Sequence, residues 1–383
     1  MRFEFATAAR ILFGPGTVRE AGPVARSFGE RALVVTGKSS QRAARLTEQC
    51  HAAAVSVSEF HVSGEPTVAS VVAGLEQAKA ERCNVVISVG GGSAIDTGKA
   101  IAILLTNPGE IHDYLEVIGK GKPFTQPSAP YIAVPTTAGT GSEVTRNAVI
   151  TVLDQQIKVS LRSPWMLPRV AIVDPELTDG LPPEITAFTG LDALTQLIEP
   201  FLSNAANPVT DAICREGIRR IAQSLQRACE TNDPHSREDM SLGSLLGGMA
   251  LANAKLGAVH GFAGPIGGKT SAPHGAICAR LLPLVVGMNM KAAQERATHS
   301  AMLERYDEVG RLLTGDPLAG AKDGIEWLQN VVAALKVPRL SAYRLTQADL
   351  SDIMVKAKSS SSMKGNPVDL NEGELLEILE MAL

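Results

Sequence analysis

The sequence lacks the cysteine spacing of a disulfide framework or of a thiolate zinc site. Its five cysteines are scattered, and no two of them form a Cys-x-x-Cys pair. An odd number of scattered cysteines is typical of a reducing compartment, where cysteine packs as a small apolar residue. We therefore expect a cytoplasmic protein in which the following residues are buried apolar side chains: Cys50, Cys83, Cys214, Cys229 and Cys278.

The sequence also has little net charge and no long apolar run near its amino terminus. Its 36 basic and 40 acidic residues leave a formal net charge of -4, which provides no general attraction for nucleic acid or for an anionic membrane. The segment up to Gly16 carries charges at Arg2, Glu4 and Arg10 and lacks the uninterrupted apolar run of a signal peptide or membrane anchor. We expect a small molecule as the partner, with no nucleic acid and no membrane.

Short apolar runs recur in the first half of the chain. Segments with helical spacing separate them, and this alternation predicts a parallel sheet with right-handed crossovers. The predicted strands are residues 32–36, 55–60, 84–92, 131–137 and 170–175. The amino-terminal half is therefore predicted to be an α/β domain.

The second half of the chain has a different pattern. It is rich in Ala, Leu, Glu, Gln and Arg and has hardly any β-branched strand candidates, which predicts helices. Gly180 and the prolines Pro182 and Pro183 interrupt the chain where the pattern changes. Since 383 residues can bury two cores, we predict an α/β domain over 1–180 and an all-α domain over 181–383.

A glycine-rich turn follows one of the predicted strands. The apolar run ends in Gly90, Gly91, Gly92 and Ser93, and a helical segment begins near Ala94. Glycines let backbone amides approach a phosphate closely, and the amino terminus of a helix adds the positive end of its dipole. The turn predicts a pyrophosphate site, although it is not the G-x-G-x-x-G fingerprint and a simple strand-to-helix turn is the alternative.

A second polar segment follows the next predicted strand. It contains five hydroxyl side chains, Thr136, Thr137, Thr140, Ser142 and Thr145. At the carboxyl end of a parallel strand such hydroxyls can bind phosphate, ribose or the amide of a nicotinamide. A polar surface loop is the alternative, but the neighbouring glycine-rich turn favours one cofactor site shared by both segments.

Candidate metal ligands lie in the predicted helical half. Asp192 and Gln196 are four residues apart, which places them on one face of a helix, and His260 and His274 follow later in the chain. One carboxylate and two imidazoles would make a three-ligand site with open positions, as a catalytic divalent metal requires. Hydrogen-bonded structural histidines are the alternative.

Together these segments resemble the iron-containing (group III) alcohol dehydrogenase family along nearly the whole chain. The motifs that carry the resemblance, in the family's order, are GGGSAIDTGKA, PTTAGTGSEVT, VDPELT, GLDALTQLIEPFLS, GAVHGFAGPIGG, PHGAICARLLP and SSMKGNPVDL. The resemblance implies an NAD(P)-dependent oxidoreductase that acts on a small alcohol or carbonyl compound. It also implies a Rossmann-like dinucleotide-binding domain, a helical domain, and a cleft that holds the nicotinamide next to iron or zinc.

The resemblance also implies roles for individual residues. Those expected near the cofactor's phosphates and nicotinamide are Gly91, Gly92, Ser93, Asp96, Thr136, Thr137, Thr140 and Ser142, with Lys158 and Leu177 along the ribose and adenine. Those expected at the metal are Asp192, Gln196, His260 and His274, and the aspartate and the two histidines are the expected catalytic residues.

Two positions depart from the family pattern. Gln196 stands where the family usually has histidine, and an amide oxygen is a weaker ligand than imidazole for iron or zinc. The affinity for the metal should therefore fall, or the site should keep three strong protein ligands. Related glycerol dehydrogenases look like an example of the second case, with a zinc site made of Asp, His and His. Gly264 stands at the position of another family histidine in the active-site cleft, so a proton-relay group is missing there and the pocket is larger.

The residues after the first predicted strand, 32–36, bear on the choice between NADH and NADPH. Many NAD-preferring relatives have an acidic residue at this point, but here the strand leads into Gly37, Lys38 and Ser39. Loss of the carboxylate removes repulsion of a 2'-phosphate, and the lysine and serine could bind one. NADPH is therefore favoured over NADH, with a solvated Lys38 as the alternative.

The leading hypothesis is hydride transfer between an alcohol and an aldehyde or ketone, with a divalent metal as Lewis acid. Gln196 and Gly264 motivate one alternative, a metal-independent reductase of the same fold that resembles maleylacetate reductase and acts on an oxo-acid. A second alternative is a protein that binds the cofactor without turnover. A homodimer is the default expectation for the assembly.

Overall fold

The chain is represented by a computed structural model that describes residues 2–37, 40–116, 118–155, 157–296 and 300–383. It forms two compact units. The α/β unit comprises Ala6–Thr137 and Gly141–Asp179, and the helical unit comprises Gly180–Leu383, Ala138–Thr140 and a short segment ending at Phe5. The predicted fold class, a parallel α/β domain followed by an all-α domain, is confirmed.

The α/β unit is built on a six-stranded parallel sheet. The strands of this unit are β1 (Arg10–Phe13), β2 (Arg31–Thr36), β3 (Ser56–His61), β4 (Val85–Gly90), β5 (Tyr131–Pro135), β6 (Asn147–Val152), β7 (Ile157–Arg162) and β8 (Val170–Val173). The order across the sheet is β1-β8-β5-β4-β2-β3, while β6 and β7 form a separate antiparallel hairpin. The five predicted strands correspond to β2, β3, β4, β5 and β8, whereas β1 and the β6–β7 hairpin were not predicted.

The helices of the α/β unit are α1 (Ala21–Phe28), α2 (Ser40–Ala52), α3 (Val68–Ala80), α4 (Gly92–Thr106) and α5 (Ile111–Tyr114). Helix α4 is buried along nearly its whole length, because it packs against β4 and β5 and also against β6. Gly98 permits this close approach, since a Cβ there would lie 1.9 Å from Oγ of Ser88. The α4 amino terminus is thereby fixed at the carboxyl edge of the sheet.

The helical unit contains α6 (Pro183–Leu202), α7 (Pro208–Glu230), α8 (Pro234–Asn253), α9 (Ala258–Lys269), α10 (His274–Glu295), α11 (Ser300–Thr314), α12 (Ala321–Ala334), α13 (Leu350–Ser359) and α14 (Glu372–Ala382). Helix α6 lies at its centre and packs against α7, α8 and α10. The side chains of α6 are buried on all sides of the helix, including those of Asp192, Gln196 and Glu199. Buried polar groups of this kind need partners, and they therefore mark a candidate site.

Among the described residues, α10 is the one helix that is by itself long and apolar enough to cross a membrane by length and composition. Its mean hydropathy of 1.3 and its length would allow it to cross a bilayer, and α8 with α9 would qualify only as a pair bent by 98°. However, 72% of the apolar window of α10 is buried inside the protein. Packing against α6, α9, α12 and α14 accounts for its apolar composition.

Candidate metal centre and cofactor-binding loops

The glycine-rich turn presents an uncapped helix amino terminus. Strand β4 ends at Gly90 and α4 begins at Gly92, with the intervening Gly91 in an extended conformation and with no side-chain cap. The first amides of a helix lack partners within the helix, so here they can bind an anion. A Cβ at Gly90 would lie 2.7 Å from the Cβ of Ala94, which explains why a larger residue does not fit the start of the turn.

The second predicted cofactor segment adjoins this turn. Strands β4 and β5 are neighbours, and the amide of Thr136 donates a 2.9 Å hydrogen bond to the carbonyl of Gly90. A Cβ at Gly91 would lie 3.3 Å from Oγ1 of Thr137. The structure therefore brings the glycine turn and the Thr136–Thr137 pair together, with Ser93 on the first turn of α4.

Other predicted cofactor residues are more dispersed. Gly37 follows β2 beside Gly90, and a Cβ at Gly37 would meet nothing within 4 Å, whereas Lys38 and Ser39 lie outside the described residues. Leu177 follows β8 and is buried in an apolar cluster of the α/β unit. Lys158 lies on β7, with its Nζ 3.4 Å from Oε2 of Glu65.

Thr140 belongs to the helical unit through the short segment Ala138–Thr140. The side chain of Ala138 joins the apolar core of that unit. A Cβ at Gly139 would lie 2.6 Å from the Cβ of Thr189 on α6. The segment predicted to be one polar loop is therefore divided between the two units.

Asp96 and Ser142 lie in a buried network that sequence analysis missed. The hydroxyl of Ser142 donates to Asp96, and the amide of Val149 donates to the same carboxylate at 2.9 Å. At the centre of the network is Lys99, which is 1% exposed and donates from Nζ to the carbonyls of Ser142 (2.7 Å) and Asn147 (2.8 Å). The network ties the segment after β5 to α4.

Burial shifts the ionisation of this network. It lowers the pKa of Lys99 to about 8, against the opposing charges of Asp96 and Glu143. It raises the pKa of Glu143 to about 7 and raises the pKa of Asp96, although Lys99 opposes both shifts. The polar atoms of Lys99, Asp96 and Ser142 are directed at one another and at neighbouring backbone groups.

The candidate metal centre is built by α6, α9 and α10. Oδ1 of Asp192 lies 3.5 Å from Nε2 of His260 and 3.7 Å from Nε2 of His274. Sγ of Cys278 lies 3.9 Å and 3.6 Å from the same two nitrogens. The structure thus brings together the predicted aspartate and histidines, and it adds a cysteine that was predicted only to be a buried apolar residue.

The spacing and the unmet polar atoms of this cluster fit a metal ion. Ligand atoms about 2.0–2.3 Å from one tetrahedrally coordinated ion lie about 3.3–3.8 Å apart, close to the distances observed here. Oδ1 of Asp192 is buried and has no hydrogen-bond partner, which is costly for a carboxylate oxygen. Carboxylate, imidazole and thiol groups are all ligands of zinc and of related divalent metals.

Gln196 contacts this cluster as a hydrogen-bond donor. Its Nε2 lies 3.2 Å from Oδ2 of Asp192, the oxygen that does not face the histidines. The opposite orientation of the amide would place two acceptor oxygens against each other. Oε1 of Gln196, the predicted ligand atom, is buried and has no hydrogen-bond partner among the described residues.

Glu199 supports His260 from behind and was also missed. Its Oε2 accepts from Nδ1 of His260 at 2.6 Å, and its Oε1 accepts from the amide of Val259 at 2.7 Å. A carboxylate on one ring nitrogen fixes the histidine so that the other nitrogen faces the ligand position. Glu199 lies seven residues after Asp192 on α6, and this helical spacing was the available signal.

The electrostatics of the cluster favour a cation. Burial acts against the charge of Asp192, but His274 and His260 outweigh it and lower the pKa of this carboxyl below its ordinary value. The charge of Cys278 is the largest influence on His274 and raises its pKa to about 9. Burial opposes the charged form of His260, yet Cys278 and Glu199 raise its pKa well above the ordinary value.

Gly264 lies one helical turn after His260 on α9. A Cβ at this position would meet nothing within 4 Å, so a side chain here would enter open space. Because glycine stands where the family usually has histidine, there is room for another group beside the cluster of Asp192, His260 and His274.

Comparisons with known proteins agree along the whole chain. Residues 8–175 match the iron-containing alcohol dehydrogenase family, and residues 186–383 match the carboxy-terminal domain of the same family. A 1,3-propanediol dehydrogenase from Klebsiella pneumoniae is 35% identical over 390 residues, which cover 99% of this chain and 98% of that protein.

Solved structures agree as well. A crystal structure of a 1,3-propanediol oxidoreductase has a TM-score of 0.93 at 33% identity and covers 100% of both chains. A sulfoacetaldehyde reductase from Bifidobacterium kashiwanohense, solved in complex with NAD+, has a TM-score of 0.87 at 29% identity and covers 99% of this chain and 98% of that one.

Proposed function

Because this chain belongs to the iron-containing alcohol dehydrogenase family, we propose that Asp192, His260 and His274 hold the divalent metal of its active site. The protein is an oxidoreductase that interconverts a small alcohol and an aldehyde or ketone, and its family uses NAD(H) and a divalent metal. The expected family and activity are confirmed. The metal-independent alternative is not favoured, since relatives are named as alcohol, propanediol and hydroxybutyrate dehydrogenases and the structure has a candidate metal site.

One observation carries the assignment of the metal ligands. Oδ1 of Asp192 is buried and has no hydrogen-bond partner among the described residues, and it lies within 3.7 Å of the Nε2 atoms of two histidines that come from different helices. A cation at the centre of these atoms would satisfy the carboxylate and both imidazoles at once. We infer that Gln196 acts mainly on the orientation of Asp192, through the hydrogen bond from its Nε2.

The metal and the nicotinamide would have different roles in the reaction from the residues of the chain. When bound, the metal would polarise the alcohol or carbonyl oxygen as a Lewis acid, and the nicotinamide would exchange the hydride. Glu199 keeps Nε2 of His260 directed at the cluster, and the 37% exposed side chain of His274 marks the side open to solvent. Since Gly264 offers no proton donor, protons would pass through water or through hydroxyl groups of the cofactor or substrate.

For the cofactor, we propose that the amides of Gly91, Gly92 and Ser93 bind the pyrophosphate. The uncapped start of α4 and the adjoining Thr136–Thr137 pair support this role. The other predicted contacts, among them Asp96, Thr140, Ser142, Lys158 and Leu177, remain proposals that rest on the family resemblance. A Cβ at Gly37 would meet no atom of a described residue within 4 Å, and this supports our proposal that a 2'-phosphate is accommodated and that NADPH is accepted in preference to NADH.

We also propose a cytoplasmic homodimer. The composition of the chain, with its unpaired cysteines and small net charge, supports the compartment. The prevalence of twofold symmetric assemblies supports the dimer. Sedimentation of the purified protein would test the assembly directly.

The proposed function is tested by chelation and restoration. Purified enzyme is assayed with NADPH and NADH against short-chain aldehydes, ketones and oxo-acids, before and after chelation and after addition of Zn²⁺, Fe²⁺ or Mn²⁺. We expect reduction of an aldehyde or ketone that chelation abolishes and one of these metals restores. A His260→Ala variant should not be restored, whereas a His51→Ala variant on α2 should behave as wild type. Turnover indifferent to chelation would contradict the proposal.

A further inference from the structure

Cys278 is placed differently from the other cysteines of the chain. Cys50 and Cys229 are buried where desolvation raises the thiol pKa to about 11, which favours an inert thiol. Cys278 is also fully buried, but its Sγ lies 3.6 Å from Nε2 of His274 and 3.9 Å from Nε2 of His260. A small apolar residue would fill the same space without making these contacts, so packing alone does not account for the thiol.

The contact between Cys278 and His274 follows from their positions on α10. Cys278 lies four residues after His274 on α10, so both side chains extend from one face of the same helix. Ligand atoms of Asp192, His260, His274 and Cys278 all lie within 4.8 Å of one another. Oδ1 of Asp192, which is buried and has no hydrogen-bond partner among the described residues, faces the same cluster and independently indicates a cation there.

The number of strong metal ligands at this centre also favours the Cys278 thiol as a ligand. Gln196 stands where the family usually supplies an imidazole, but its Nε2 is engaged with Asp192 at 3.2 Å. The amide oxygen, Oε1, is buried without a hydrogen-bond partner among the described residues, but an amide oxygen is a weaker ligand than imidazole for zinc or iron, so the centre lacks a fourth strong ligand. A thiolate on the adjoining helix can restore the number of protein ligands to four.

We propose that Cys278 is a thiolate ligand of the metal, alongside Asp192, His260 and His274. This inference rests on the proposed function, since it concerns the same metal. On binding, the thiol proton passes to solvent and the sulfur donates an electron pair to the metal, with no change of oxidation state. Because a soft sulfur ligand favours zinc over magnesium or manganese, the centre selects zinc among these divalent ions.

X-ray absorption at the zinc edge tests the sulfur ligand directly. The full-length protein is stripped with chelator under reducing conditions, reloaded with one equivalent of zinc and measured as wild type, Cys278→Ser and Cys83→Ser. We expect a sulfur shell at about 2.3 Å in wild type and Cys83→Ser, beside nitrogen and oxygen at about 2.0–2.2 Å, and no sulfur shell in Cys278→Ser. Zinc affinity of Cys278→Ser should fall by more than the roughly 10–100-fold typical of a lost outer-shell partner.

The outcomes separate this inference from the proposed function. Stoichiometric zinc in the wild type with only nitrogen and oxygen ligands would overturn the role of Cys278 and leave the metal-dependent enzyme intact. No zinc binding in any form would overturn both. The wild-type spectrum decides the matter even if Cys278→Ser does not fold.

Discussion

The α/β unit and the helical unit prepare their candidate sites in different ways. In the α/β unit the groups proposed to meet the cofactor are mainly backbone amides at Gly91 and Gly92, at the start of α4, and the network around Lys99 on the same helix faces inward. In the helical unit the candidate centre consists of side chains, and neighbouring polar groups orient two of them: Glu199 orients His260, and Gln196 contacts Asp192. The difference indicates that substitutions in the first network should affect stability, and those in the second should affect metal affinity.

The largest expected effect is on the stability of the α/β unit. Lys99→Met removes a buried cation, takes the Lys99 donor from the carbonyls of Ser142 and Asn147, and leaves Asp96 without its opposite charge. Breaking a buried charge pair in this way should lower the free energy of unfolding by about 3–5 kcal/mol, measured by urea denaturation. The exposed Lys79→Met on α3 is the matched control. A loss of less than about 1 kcal/mol, the size of a surface pair, would show that the network is not the anchor described here.

A smaller effect, on function, is expected in the helical unit. In Glu199→Gln a single amide oxygen replaces two carboxylate oxygens, so either His260 or the amide of Val259 would face an NH2 group. Metal affinity should fall by roughly 10–100-fold, as is typical for loss of a group that orients a ligand, while the fold is retained. Competition with a chromophoric chelator measures the metal affinity. The control is Glu230→Gln, a substitution at an exposed glutamate. Unchanged affinity would mean that His260 does not depend on Glu199.

The smallest effect concerns cofactor choice. Gly37→Asp places a carboxylate at the end of β2, where a Cβ meets nothing within 4 Å. It should lower kcat/KM for NADPH relative to NADH by at least about tenfold, the equivalent of one hydrogen bond to a charged group of about 1.5–3 kcal/mol. The uncharged Gly37→Asn variant separates charge from size. An unchanged ratio in Gly37→Asp would show that the end of β2 does not determine cofactor choice.

The same comparison explains how far sequence analysis could reach. The central strands are continuous apolar runs buried on both faces, and this pattern predicts them well. Strand β1 has four partly exposed residues, and the β6–β7 hairpin alternates buried and exposed positions, so neither forms such a run.

At the sites, residue spacing identifies a helix face but not what that face meets. Cys278 and Glu199 have helical spacing from His274 and Asp192, yet only the packing of α6, α9 and α10 brings them together. Lys99 was missed because lysine is rarely buried without a partner, and its acceptors lie more than 40 residues away in the chain.

The most direct test of the central claim is the metal content of protein purified without added metal or chelator. Elemental analysis is made on wild type and on a variant with Asp192→Ala, His260→Ala and His274→Ala, with circular dichroism to verify the fold. We predict close to one iron or zinc per chain in the wild type, lost in the variant together with NAD(P)H-dependent activity. A metal-free wild type that retains full turnover, even with metal added back, would contradict the metal-dependent mechanism.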